Sequence, residues 1–136
     1  MNIRRFTIAS IAVFIAIQVT DPIIHGVILG KVYETHKHLW RPDMMSKMWI
    51  MMVSSFLFSF LFIYVFTKGY ERKGIFEGIR FGILTGFFVY IYSVINQYVV
   101  YPLPLHLVLK WCIFGIIQFT IFGILAALVY KPRSNA

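Results

Sequence analysis

The chain has 136 residues, of which 60% are hydrophobic and 13% are charged. Soluble domains contain about 25% charged residues, so this composition excludes an ordinary soluble domain and indicates an integral membrane protein. A net charge of +8 would suggest a nucleic-acid partner in a soluble protein. Here the basic residues lie in short segments between apolar runs. We therefore expect membrane topology and anionic lipids to account for them, and no nucleic-acid partner.

The first apolar segment, residues 1–20, resembles a signal peptide because two arginines precede its apolar run. Apolar character resumes after Asp21, however, and the segment alone is too short for the roughly 30 Å bilayer core. We predict one membrane helix over about 6–31, with a kink at Pro22, whose missing N–H frees the carbonyl of Gln18. The alternative is a break at Asp21, with this residue capping a second short helix.

Three further apolar segments predict membrane helices over about 44–66, 75–98 and 105–130. Their connections are 31–43, which is rich in charge, histidine and aromatic residues, the basic turn 67–74, and 99–104, which contains two prolines. We therefore expect a single all-α domain over 1–136, a membrane bundle of four transmembrane helices.

A faint internal repeat favours an arrangement of two helical hairpins. Pro42 precedes Trp49 by seven residues, and Pro104 precedes Trp111 by seven. Each proline opens a returning helix, and each tryptophan would lie near the membrane interface, where indoles are favoured. The repeat suggests two hairpins related by an axis along the membrane normal.

Glycine recurs at every fourth position through the third helix, which places these residues on one slowly drifting stripe. Membrane helices gain little from burying apolar surface against each other, so small residues that let backbones approach closely drive their packing. We predict that the stripe receives another helix. The expected packing residues are Gly74, Gly78, Gly82 and Gly86 in the third helix, and Gly115 and Gly123 in the fourth.

Lysine and arginine favour the cytoplasmic side of a membrane. If both termini lie on one side, that side holds eight of the 13 basic residues. These eight are Arg4, Arg5, Lys68, Arg72, Lys73, Arg80, Lys131 and Arg133. We therefore predict that both termini are cytoplasmic.

On this topology the unusual polar residues gather near the outer side. They are Asp21, His25, Glu34, His36, His38, Asn96, Gln97, Tyr98 and His106. Asp21 lies about two thirds of the way along the first helix, where an ionisable group is costly and is usually functional or paired. Because Asp21 and His25 are four residues apart, they share a helix face.

Three interpretations of this layer stay open. In the first, Asp21 binds His25 or a basic residue, Lys110 or Arg41, and holds the hairpins together. In the second, imidazoles join a carboxylate in a site for zinc, iron or copper. In the third, His25 and His106 ligate a haem or border a quinone pocket. The cofactor is left unknown, and proton or substrate movement is a further alternative. The candidate metal or ligand residues are Asp21, His25, His36, His38 and His106.

Fewer polar residues are expected elsewhere in the membrane. Gln18 and Gln118 are central in the first and fourth helices, and a pair of amides can form an interhelical hydrogen bond. Glu77 has Lys73 four residues before it and Arg80 three residues after it, which favours surface ion pairs. We find no nucleophile with its base, no phosphate-binding loop and no paired acid–base carboxylates, so we predict no catalytic residue.

Several short motifs lie along residues 20–130. They are Asp21 with His25-Gly26, Trp40-Arg41-Pro42, the run Phe66 to Glu71, Gly74, Glu77-Gly78, Arg80, Gly82, Pro102, Pro104 and Trp111. In these the chain resembles a group of short four-helix bacterial membrane proteins of unknown function. The resemblance implies a four-helix architecture and a bacterial inner membrane, and it brings no established activity.

The small-residue faces exceed what a lone bundle of this size needs for itself. We therefore expect a small, non-enzymatic accessory or structural subunit that packs laterally in a larger membrane assembly, with membrane-protein partners or other copies of itself. The alternative is a redox-linked or transport protein that binds a metal, haem, quinone or solute near its outer side.

Overall fold

The computed structural model describes residues 1–131, and within that range it is helical with no strand. Its α-helices are α1 (Ile3–Asp21), α2 (Gly30–Thr35), α3 (Met48–Lys68), α4 (Ile75–Val100) and α5 (Leu105–Tyr130). Helical segments long and apolar enough to cross a membrane run over Ile3–Ile28, Met45–Lys68, Ile75–Val100 and Leu105–Tyr130. The predicted all-α fold with four candidate spans is therefore confirmed. Arg133, counted above among the basic residues, lies outside the described residues.

The first span does not end at its proline. It continues past Pro22 as a π-helical segment, Pro22–Ile28, in which the Leu29 N–H donates to the Ile24 carbonyl at 2.9 Å. Pro22 has no N–H to donate, and the wider hydrogen-bond spacing of the π-helix lets the span continue past it. Asp21 has helical backbone angles and makes no capping hydrogen bond, so the alternative of a second, Asp21-capped helix is wrong.

The expected loop after the first span is partly helical. It contains α2 and a 3₁₀ turn, Lys37–Leu39, and a second 3₁₀ turn, Met45–Lys47, leads into α3. Both 3₁₀ turns are short, and their hydrogen bonds stay within the turn, as is usual for connectors. The segment folds back over the end of the bundle, where Leu29 packs with Leu107 and Tyr33 accepts from the Trp111 indole.

The helices form two hairpins. The most extensive interface joins α4 and α5, and α1 packs against both α3 and α5. Aromatic side chains fill the centre, chiefly Phe62, Phe66, Phe119 and Phe122. The two tryptophans of the suspected repeat occupy different environments, because Trp49 is 65% exposed whereas Trp111 is half-buried.

The glycines of α4 lie against α5 at very short range. A Cβ atom added at Gly78 would collide with the Gly123 carbonyl, and one added at Gly82 would collide with the Phe119 carbonyl. At Gly86 it would lie 3.1 Å from the Ile116 Cα atom. From the other side, Gly123 lies against the Gly78 carbonyl and Gly115 against the Tyr90 ring. These contacts are made within one chain.

Gly74 does not share in this packing, so its placement in the stripe is wrong. It precedes α4 with φ of +71°, and an added Cβ atom would meet nothing within 4 Å. Glycine is favoured at this backbone conformation because it has no Cβ atom. Gly74 therefore serves the turn between α3 and α4.

The start of α1 and the end of α5 lie on one face of the bundle, which we call the terminal face (residues 1–5, 69–74 and 130–131). The Asn2 N–H donates to the Tyr130 hydroxyl at 3.3 Å, and the Thr67 hydroxyl donates to the Met1 sulfur at 3.7 Å. The opposite end, which carries α2 and all four histidines, we call the histidine face (residues 22–47 and 96–106).

The turn on the terminal face is organised by a buried carboxylate. Glu77 is only 4% exposed, and it accepts the backbone N–H groups of Glu71 at 2.6 Å and of Lys73 at 2.9 Å. The expected pairs of Glu77 with Lys73 and Arg80 are wrong. Both cations bind Glu71 instead, at 2.7 and 2.9 Å, and they hold the pKa of this exposed carboxyl below its usual value.

Candidate functional site

A buried amide joins α1 to α5. The Gln118 side chain is 5% exposed, and its Nε2 donates to the Asp21 carboxylate at 2.6 Å and to the Thr20 hydroxyl at 2.7 Å. The Thr20 hydroxyl in turn donates to the Ala16 carbonyl at 2.8 Å. This network fixes the relative height of the two helices.

Two expectations about these residues are wrong. Asp21 does not bind His25, Lys110 or Arg41: it accepts from Gln118, whereas His25 bonds to Tyr33 and Arg41 bonds to Asp43. The pair between Gln18 and Gln118 is also absent, and within residues 1–131 the Gln18 side chain makes no hydrogen bond. Both amino protons of Gln118 are used by Asp21 and Thr20, which leaves none for a second amide.

Asp21 and Gln118 lie in an open cleft of about 390 Å³ to which all four membrane helices contribute. Its walls are formed by Ile17, Ser54, Ser55, Phe58, Val89, Tyr90, Phe119 and Phe122. Toward the terminal face, α3 and α4 touch where Phe81 packs against Phe62 and Phe66. Toward the histidine face, α4 packs against α5 and α3 packs against α1. The bundle is therefore open between α3 and α4.

The Asp21 carboxylate is only partly satisfied in this cleft. Asp21 is half-buried, and among residues 1–131 Gln118 is the one residue that donates to it. The donor bonds to a single carboxylate oxygen, Oδ1. A carboxylate offers about four acceptor sites on its two oxygens, so the group can accept further donors from the cleft.

A second polar cluster covers the histidine face, and sequence reasoning missed its central residue, Tyr33. The Trp111 indole donates to the Tyr33 hydroxyl at 2.7 Å, and the Trp40 indole donates to the Tyr33 carbonyl at 3.3 Å. Burial raises the pKa of Tyr33, so its hydroxyl stays protonated. The Tyr33 hydroxyl also shares a hydrogen bond with His25 Nδ1, 2.5 Å away.

This network limits what His25 can bind. Its Nδ1 is hydrogen-bonded to the Tyr33 hydroxyl, so this nitrogen is not free to bind a metal ion or a haem iron. The ring also stacks on Tyr33, with centroids 5.9 Å apart. His25 is thus held as part of the aromatic cluster.

The remaining histidines gather at the edge of the same face. The ring centroid of His36 lies 5.9 Å from that of His106 and 6.3 Å from that of His38. His36 Nδ1 lies 2.8 Å from the Val32 carbonyl, which fixes its proton there. Within the described residues, no three His, Cys, Asp or Glu side chains are placed to hold a metal ion.

The five residues predicted as metal or ligand residues therefore separate into three places. Asp21 lies in the cleft, His25 lies in the Tyr33 cluster, and His36, His38 and His106 lie at the edge of the histidine face. His25 and His106, the suggested haem or quinone pair, do not line the cleft.

No family model, curated protein or solved structure matches this chain.

Proposed function

We propose that the protein is a small, non-catalytic accessory subunit that binds a partner membrane helix through the Asp21 cleft. The observation that carries this proposal is a half-satisfied carboxylate within an apolar span, in a cleft that opens between α3 and α4. Charged groups inside membranes almost always pair with other protein groups. A partner helix with an amide or basic side chain at this depth supplies the missing donor.

The small residues that suggested lateral assembly from the sequence support it less well. Gly78, Gly82 and Gly86 lie against α5, and Gly115 and Gly123 lie against α4, so these faces are used inside the chain. The cleft and Asp21 are therefore the features that support a partner.

The location belongs to the same proposal. Together with Lys68 and Arg80 in the adjoining helices, the terminal face holds seven of the 13 lysine and arginine residues, which favours a cytoplasmic position for both termini. The bacterial inner membrane follows from the resemblance described above.

A second candidate is a protein that binds a small solute in the same cleft. Its volume of about 390 Å³ lies in the range of ligand pockets, roughly 300–1,000 Å³. Tyr90, Ser54 and Ser55 add hydroxyl groups beside Asp21. A solute with a hydrogen-bond donor and an apolar body would suit such a mixed surface.

Site-specific cross-linking in native membranes tests the first candidate. A photoreactive residue at Ser54, inside the cleft, should yield one discrete cross-linked product, because the partner helix lies there. The same probe at Phe88, which is 81% exposed and outside the cleft, should yield none. Asp21→Ala should weaken the Ser54 product about 3- to 30-fold, the range that follows from interhelical hydrogen bonds of about 0.6–2 kcal/mol.

Gln18→Ala is the matched control, since Gln18 lies on the same helix and makes no side-chain hydrogen bond with the described residues. A Ser54 product that survives Asp21→Ala unchanged would contradict the proposal. A clean monomer that carries a bound small molecule, seen by mass spectrometry or by its absorption spectrum, would favour the second candidate.

A further inference from the structure

A second cleft, of about 890 Å³, opens at the terminal face between the start of α1, the α3–α4 turn and the end of α5. Basic side chains dominate its polar lining: Arg4, Arg5, Arg72 and Lys131. Two phenols, Tyr70 and Tyr130, complete the polar part of the wall. We call this feature the basic cleft.

The charges of the basic cleft are not neutralised within residues 1–131. None of its four cations forms a salt bridge there, whereas Lys73 and Arg80, in or next to the same turn, are both bound to Glu71. The nearby Glu77 carboxylate is buried and held by two backbone N–H groups. The start of α1 and the end of α5 both line the cleft and their dipole ends have opposite signs, so it is the four side-chain charges that attract an anion.

Apolar side chains continue the wall toward the middle of the bundle. Ile8 and Leu128 line the cleft and are exposed. Ile8 lies more than one turn inside α1, and Leu128 lies near the end of α5. The cations therefore lie at headgroup depth and the apolar wall lies where acyl chains begin.

The phenols are suited to bind an anion. The rings of Tyr70 and Tyr130 meet edge to face with centroids 5.2 Å apart. Burial, followed by the charge of Glu77, raises the pKa of Tyr70, so its hydroxyl stays protonated and can donate. Among the described residues, the Tyr70 hydroxyl has no hydrogen-bond partner.

We propose that the basic cleft binds the headgroup of an anionic phospholipid, with the phosphate among Arg4, Arg5 and Arg72 and an acyl chain along Ile8 and Leu128. The apolar wall distinguishes this ligand from free phosphate, which has no group to cover it. The site is separate from the Asp21 cleft and does not depend on the function proposed for that cleft.

The test is a lipid titration of the purified full chain in neutral detergent, followed by thermal unfolding. Phosphatidylglycerol should raise the melting temperature, whereas phosphatidylcholine with the same acyl chains and inorganic phosphate should not. The variant Arg4→Gln/Arg5→Gln/Arg72→Asn should need about 100-fold more phosphatidylglycerol, at about fivefold for each cation near a membrane surface.

The matched control is Lys31→Gln/Lys37→Gln/Lys110→Gln, which removes three exposed charges, two on the histidine face and one in α5 beside it. It should titrate like the parent chain. Arg72→Asn alone guards against misfolding of the triple variant, because Arg72 has φ of +63°, a conformation that asparagine tolerates. This single variant should lose about fivefold.

Three results would overturn the proposal: equal stabilisation by phosphatidylcholine, equal stabilisation by inorganic phosphate, or an equal loss in the control variant. The first would mean a general phospholipid effect, the second an anion site without lipid, and the third a response to net charge alone.

Discussion

At the scale of single residues, Glu77 and Asp21 show two ways to keep a carboxylate within an apolar helix. Glu77 is almost fully buried and is satisfied by two backbone N–H groups of the preceding turn. It also lies in the first turn of α4, where the helix dipole favours negative charge. Asp21 is half-buried and accepts a hydrogen bond from one amide, that of Gln118, so it can accept further donors.

Glu77→Ala should destabilise the chain by about 1–3 kcal/mol, because two buried N–H groups lose their acceptor. Thermal unfolding in detergent would measure the change. Glu71→Ala is the comparison: this carboxylate is exposed and its ion pairs are screened by solvent, so the melting temperature should move much less. Equal shifts for the two variants would mean that the turn is not organised by Glu77.

The sequence placed these residues but could not name their partners. The basic neighbours of Glu77 suggested helical ion pairs, yet the turn brings two N–H groups closer than either cation. Asp21 and Gln118 are 97 positions apart, and helix spacing relates only near neighbours. Tyr33 carried no signal at all, because its role depends on how α2 folds back toward Trp111.

At the scale of elements, the seam between α4 and α5 is set by backbone contacts. The atoms that an added Cβ at Gly82 would meet belong to the main chain of Phe119 and Thr120, and main-chain atoms of a helix cannot turn aside as a side chain can. Gly86 has slightly more room, since its nearest neighbour lies at 3.1 Å. The seam therefore fixes the distance between the two helices.

Gly82→Ile should push α4 away from α5 and lower the stability by at least about 1–3 kcal/mol, the usual cost of overpacking. Gly78→Ile should act in the same way. Thermal unfolding and size-exclusion chromatography in detergent would report both. Gly69→Ala is the control, because a Cβ atom there meets nothing within 4 Å. Unchanged melting of both isoleucine variants would show that the glycines do not support an interface.

The helix boundaries could be predicted from the lengths of the apolar segments, because a bilayer core requires a nearly fixed number of residues per span. All four spans lie within a few residues of the predicted ranges. The length of the apolar segments could not predict the π-helical segment after Pro22 or the short α2. Both depend on local hydrogen-bond register and on packing against the end of the bundle.

At the scale of the whole molecule, the bundle is asymmetric. α5 lies at its centre, and α4 is attached mainly along one seam, so one side between α3 and α4 stays open. The Asp21 cleft lies on that open side, and the basic cleft lies at the terminal face. A membrane partner and an anionic lipid would therefore reach different parts of the surface.

The orientation proposed for the chain can be checked by cysteine labelling in a Cys112→Ala background. Lys37→Cys, on the histidine face, should react with a membrane-impermeant maleimide added to intact cells. Lys68→Cys, at the end of α3, should react only after the cells are opened, because the terminal face would be cytoplasmic. Labelling of Lys68→Cys in intact cells would reverse the assigned topology.

The two partners of the hydrogen bond between Asp21 and Gln118 are synthesised at different times. Bacterial and other ribosomes add about 5–20 residues each second, so the 97 positions between the two residues take roughly 5–20 s to synthesise. Throughout that interval the first span is already made while its amide partner is not. The nascent chain must therefore keep this carboxylate solvated, neutral or bound to another protein until the last span arrives.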